Sequence, residues 1–99
     1  MIIKHAQHFL TAEGKEFFKE WVKTLQAIAK KYPGFDAVWP MYAGEQPDEI
    51  HLFMVFADEM AYQKWVSGEE HTRVLDELAG YRLKQWQAKT YVSIEHCME

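Results

Sequence analysis

The chain has 99 residues, 48% of them apolar and 15% aromatic, and a formal charge of −4. That length suits one domain, residues 1–99, burying roughly 60–65% of its unfolded surface, and so apolar a composition argues against disorder. Lysine and arginine are scattered rather than gathered into a basic face, so nucleic acid is not an expected partner; the longest apolar run, Leu52 to Ala57, is far too short for a membrane span.

Cys97 stands alone, which excludes a disulfide framework and makes a reducing cytoplasm the expected compartment. The first residues show no charged-then-apolar signal pattern. In chain order, Ile2 to Leu10 alternates as a strand, with Ile3, His5, Gln7 and Phe9 on one face. Thr11 is placed as an N-cap with Glu13 at the positive end of the helix that follows. In that helix Phe17, Phe18, Trp21, Val22, Leu25, Ile28, Ala29 and Tyr32 recur at three- and four-residue steps as one wide stripe. Pro33-Gly34 ends it.

Phe35 to Ala43 predicts a second strand, with Phe35, Ala37, Trp39 and Met41 on one face; Pro40 cannot donate to a ladder, so this strand lies at an edge or carries a bulge. Gly44 to Asp48 reads as a hairpin loop leading back into the strand Ile50–Ala57. Asp58 caps a short helix through Val66, and Ser67-Gly68-Glu69-Glu70 has the spacing of a capping box that opens another. The stripe of that helix is His71, Val74, Leu75 and Leu78, with Gly80 at its end. Tyr81 to Gln87 is ambiguous, and Ala88 to Cys97 returns to strand, with Tyr91, Val92 and Ile94 favouring it.

The order strand, helix, strand, strand, broken helix, strand is the split βαβ arrangement of an α+β, ferredoxin-like βαββαβ fold with a four-stranded antiparallel sheet. Helices cover one face of such a sheet. The third strand, however, offers Ile50, Leu52, Met54 and Phe56 to one side and Phe53 and Val55 to the other. Leaving the second face in water forgoes roughly 1.5–3 kcal/mol for each large side chain. A second copy of the sheet covers it most simply, so a sheet-to-sheet homodimer closing into an α/β barrel is expected.

At this point the chain resembles the dimeric α/β-barrel superfamily, and within it the antibiotic-biosynthesis-monooxygenase-like family. The resemblance rests on Glu13-Gly14-Lys15-Glu16-Phe17 entering the long helix, Tyr32-Pro33-Gly34-Phe35, the Phe53-Met54-Val55-Phe56 strand, Ala61-Tyr62-Gln63-Lys64-Trp65, and Glu69-Glu70-His71. It implies a pocket between the sheet and the helices, and members include cofactor-independent oxygenases acting on phenolic or polycyclic molecules, haem-degrading oxygenases, and proteins without known activity.

Six residues follow as candidates. His71 shares its helix face with Val74, Leu75 and Leu78, so its ring turns inward; as a neutral imidazole it could take a proton from a phenol, or it could simply pack against Val66. Trp65 is similar to the pocket tryptophan of some oxygenase members, an aromatic wall for a flat substrate, or else the core anchor of its helix. His5 and Gln7 share a strand face near a position where haem-degrading relatives carry an asparagine, and they read equally as ordinary sheet residues. Trp39 and Phe56 line the same pocket or belong to the core. The resemblance places a haem-ligating histidine about ten residues beyond the tryptophan, where this chain has Leu75, and the asparagine and arginine of the cofactor-free oxygenases find no evident match.

His5 and His8 face opposite sides of one strand and cannot chelate a metal together; His51 and His96 are isolated. No serine elbow, phosphate loop or dinucleotide fingerprint is present. Two readings follow. The first is a small cofactor-independent monooxygenase acting on an aromatic, phenolic or quinone-like molecule. The second is a non-catalytic dimer holding a small aromatic ligand, with haem as a lesser third option.

Overall fold

The computed structural model describes residues 1–93, apart from the side chains at positions 47 and 48. Its elements are β1 (Ile2–His8), α1 (Ala12–Ala29), β2 (Phe35–Ala43), β3 (Gln46–Phe56), α2 (Glu59–Val66), α3 (Glu69–Ala79) and β4 (Gln87–Val92). The four strands form one antiparallel sheet in the order β2-β3-β1-β4, the ferredoxin-like arrangement that the element order predicts. The expected strand residues Ile94 and Cys97, and His96 beside them, lie outside the described residues.

The register sorts side chains between two faces. Ile2, Lys4, Ala6 and His8 of β1 stand opposite Phe56, Met54, Leu52 and Ile50 of β3, and this face lies under the helices. Trp21, Leu25 and Ala29 of α1 pack onto it with Trp65 of α2 and Val74 and Leu78 of α3. Trp21 also pins two helices together, its indole Nε1–H donating to the buried Val74 carbonyl at 2.7 Å. The other face carries Ile3, His5 and Gln7, Val55, Phe53 and His51, Ala37, Trp39 and Met41, and Lys89 and Tyr91. No helix covers it. Trp39 is 42% exposed, Met41 48% and Tyr91 46%.

Local chemistry explains most boundaries. Thr11 caps α1 by accepting from Gly14 N–H at 3.0 Å, and Asp58 caps α2 by accepting from Ala61 N–H at 2.8 Å. Pro40 sits on β2, an edge strand, where its missing N–H costs no ladder bond.

Four expectations need correction. Phe35 does not share the face of Trp39: a register shift between Phe35 and Ala37, one of two in β2, turns it to the helix side, where it packs edge-on against Phe56. The hairpin turn is only Gly44-Glu45, with Gly44 at φ +51°, and positions 46–48 extend β3. α1 stops at Ala29, before Tyr32, which frees that ring to reach across to α2. Ser67 does not cap α3: Gly68 takes that place without a side-chain bond, and the Ser67 hydroxyl donates back to Lys64 C=O at 3.3 Å. The ambiguous segment after Gly80 runs alongside residues 9–11, through Leu83 N–H to Phe9 C=O and Thr11 N–H to Tyr81 C=O, both 2.8 Å.

Candidate functional site

Between the sheet and helices α2 and α3 lies a hollow of about 430 Å³. Its floor is β1, β3 and β4, with Lys4, Ala6, His8, Leu52 and Met54 exposed to it. Its roof is Tyr62, Trp65 and Val66 of α2 with His71 and Leu75 of α3, and Trp86 closes one end. The size and the mainly apolar walls suit a small organic molecule with few polar groups.

Trp65 and His71 meet in this roof. Their rings stand 5.4 Å apart and nearly perpendicular, at 83°. A second perpendicular contact, from Tyr32 at 5.2 Å, holds Trp65 from behind. The Tyr32 hydroxyl donates to Glu70 at 3.0 Å, and Glu70 also takes Lys31 Nζ at 2.7 Å. These partners hold the Glu70 carboxyl below its ordinary range and draw it toward α1. Burial lowers the pKa of His71, so its imidazole is neutral at pH 7 and retains a lone pair for a proton. Gly68 permits this junction, since a Cβ there would stand 2.9 Å from the Tyr32 hydroxyl.

The other four candidates lie elsewhere. Phe56 is fully buried between Phe35 and Tyr62, as part of the core and not of the hollow's lining. Gln7 and Trp39 are on the open face of the sheet, away from the hollow. His5 skirts the hollow at its strand, but its ring lies on the open face, stacked on Phe53 at 4.7 Å. There it joins a hydrogen-bonded row. His51 Nε2 meets the Glu49 carboxylate at 2.7 Å, and His51 Nδ1 meets His5 Nε2 at 2.7 Å. In the neutral tautomers in which His51 Nε2–H donates to the carboxylate, His51 Nδ1 accepts from His5 Nε2–H, so both His51 nitrogens are paired.

Two residues of the hollow were not singled out by sequence reasoning, though the alternation of β1 already set them on one face with Ile2 and Ala6. His8 is 3% exposed, its Nδ1 has no hydrogen-bond partner, and burial followed by the nearby Arg82 charge lowers its pKa to about 4. Lys4 reaches Thr90 Oγ1 at 2.9 Å and Glu59 at 3.2 Å and lies over the Tyr62 ring at 4.0 Å. Among the described residues no group of three or more His, Cys, Asp or Glu is disposed to hold a metal, and no helix is long and apolar enough to cross a membrane.

No family model and no curated protein matches the sequence. Solved structures do match. An antibiotic biosynthesis monooxygenase superposes at a TM-score of 0.79 with 15% identity, over 95% of this chain and 99% of the other. The fold is that of the antibiotic-biosynthesis-monooxygenase-like proteins. A conserved protein from Methanosarcina mazei Go1 gives 0.81 with 17% identity over 91% and 89% of the two chains. A mutant of SnoaB, a cofactor-independent oxygenase from Streptomyces nogalater, gives 0.80 with 11% identity over 94% and 92%. At such identities the likeness is one of monooxygenase-like fold, and the chemistry of this chain has to be argued from its own side chains.

Proposed function

We propose that the hollow is the reaction site of a small cofactor-independent monooxygenase acting on an aromatic, phenolic or quinone-like molecule, in a homodimer formed through the open sheet faces. The observation that carries this reading is the perpendicular Trp65–His71 pair in the roof of an apolar hollow, with the imidazole neutral. Trp65 supplies the wall for a flat ring. His71 accepts the phenolic proton, and the electron-rich phenolate passes electrons to dioxygen, which is both oxidant and oxygen source. One oxygen atom enters the ring to give a quinone and the other leaves as water. The cofactor-independent activity that SnoaB's name records supports such chemistry on this fold. Leu75 lines the hollow and offers no electron pair to iron, so a haem held through that position does not fit.

Dimerisation is supported by the apolar open face and by the Glu49–His51–His5 row on it. A face that meets its copy must pair its polar groups, and this row pairs Glu49, both His51 nitrogens and His5 Nε2 with one another.

Oxygen uptake with a panel of phenols, naphthols and hydroquinones tests the reading. Turnover is expected, falling on the order of 10²-fold or more in His71→Ala, the usual worth of a general base. Turnover unchanged in that variant would remove His71 from the role. A second reading, a non-catalytic dimer that binds a small aromatic molecule, is favoured by one observation: among the described residues no amide side chain lines the hollow to position dioxygen or substrate. Saturable binding without oxygen uptake across the panel would establish it.

A further inference from the structure

The hollow has a charge of its own. Lys4 stands on its floor with a side chain only 19% exposed, among neighbours on that face that are otherwise uncharged: Ile2, Ala6 and His8. An ammonium has three donors. Thr90 takes one at 2.9 Å and Glu59 another at 3.2 Å, while Tyr62 offers only its ring face. Glu59 is itself 54% exposed, shares its carboxylate with Gln63 at 2.9 Å, and does not line the hollow.

Among the described residues two other cations stand near this space: Arg82, whose charge acts on His8, and Lys89, which touches the hollow at β4. Burial favours the neutral forms of His8, His71 and Tyr62, and no carboxylate is among the described lining residues. Lys89 belongs by register to the open face, beside His5 and on the Tyr91 side. Beyond Thr90 and Glu59 the ammonium keeps a third donor, and in these partly buried surroundings its charge is screened less than in water, so it favours an anion that can reach it.

We propose that Lys4 is the anion-holding residue of this hollow, and that the ligand is a flat phenol bound as its phenolate with the oxygen against Lys4 Nζ. This rests on reading the hollow as an aromatic site. The physical signature is specific, because burial alone raises the pKa of a phenol whereas an opposite charge within about 4–6 Å lowers it by about 1–3 units. A bound phenol more acidic than the free one needs a cation or hydrogen-bond donors at its oxygen that outweigh desolvation, and removing the Lys4 charge separates the two.

The probe is 4-nitrophenol, whose phenolate absorbs visible light, titrated with pH in the presence of saturating protein, with equilibrium dialysis to establish binding. The expected result is a bound probe whose pKa is lower by about one unit, a tenfold rise in its ionised-to-neutral ratio. Lys4→Met abolishes the lowering, Lys4→Arg retains it, and Lys23→Met on the exposed face of α1 leaves it unchanged. A bound probe with its pKa at or above the free value overturns the role of Lys4 and leaves the aromatic site standing, and this holds from the unmutated protein alone should Lys4→Met not fold. A lowering that survives in folded Lys4→Met overturns it equally. Retention of no probe at all in dialysis overturns both this assignment and the aromatic reading beneath it.

Discussion

His8 shows how much one side chain can bind the stability of this fold to pH. It is buried among Phe18, Trp21 and Trp86, each about 6.0 Å away ring to ring, and its pKa falls to about 4. In the unfolded chain it titrates near 6.5. A histidine with a lowered folded-state pKa favours the native state when neutral, so its effect is complete above pH 6.5 and is lost as pH falls from 6.5 toward 4. The loss at pH 4 is about 2–3 kcal/mol. Urea midpoints taken between pH 7.5 and 4 are expected to fall accordingly, and His8→Phe to flatten that slope. Trp21→Phe keeps an aromatic ring in the core but removes the buried donor to Val74 and leaves unfilled space, at an expected cost of about 1–3 kcal/mol or more in chemical denaturation. The sequence places Trp21 on the inward stripe of α1 and His8 on one face of β1 with Ile2 and Ala6, without saying which face is covered. It does not show that one imidazole nitrogen stays unpartnered or that the indole meets a carbonyl on another helix, because those depend on how α1 and α3 sit together.

At the scale of elements, two cap patterns that look alike behave differently. Asp58 holds Ala61 N–H and Ser67 holds no helix amide, so Asp58→Ala is expected to cost about 1 kcal/mol and Ser67→Ala less than about 0.5 kcal/mol, measured by thermal unfolding. The capping-box spacing of Ser67 is genuine, but α2 uses that residue as its own C-cap and leaves the start of α3 to Gly68. Gly34 is legible in the Pro-Gly stop signal and proves more constrained than that signal requires. It has φ +88°, and a Cβ there would stand 2.5 Å from the Cβ of Ala61. Gly34→Ala thus combines backbone strain with a clash against α2, and a loss of about 2 kcal/mol or more is expected from denaturant midpoints.

For the whole molecule, the open sheet face sets the expected assembly. Phe53 lies at its centre, paired with His5 on one side and Trp39 on the other. If two copies meet there, light scattering gives twice the 11.7 kDa chain mass, and Phe53→Glu, which would bury an unpaired carboxylate, shifts the protein to the single-chain mass. A single-chain mass for the unmutated protein at micromolar concentration would remove the dimer. The two-sided apolar pattern of β3 makes this face visible in the sequence, because a strand with large side chains on both sides cannot be satisfied by one layer of helices.

The sequence by itself determined the element order, the βαββαβ topology, the inward stripes of α1 and α3 and the sidedness of β1 and β3, since periods of 3.6 and 2 fix which side chains share a face. Only the tertiary structure decided what met across elements. One bulge moved Phe35 to the other face, the sheet carried Gln7 and Trp39 away from the hollow, and Lys4 and His8 came beneath Trp65 and His71. The physical reason is that periodicity is a property of one element at a time, whereas a site is made by residues far apart in sequence whose meeting depends on register and packing.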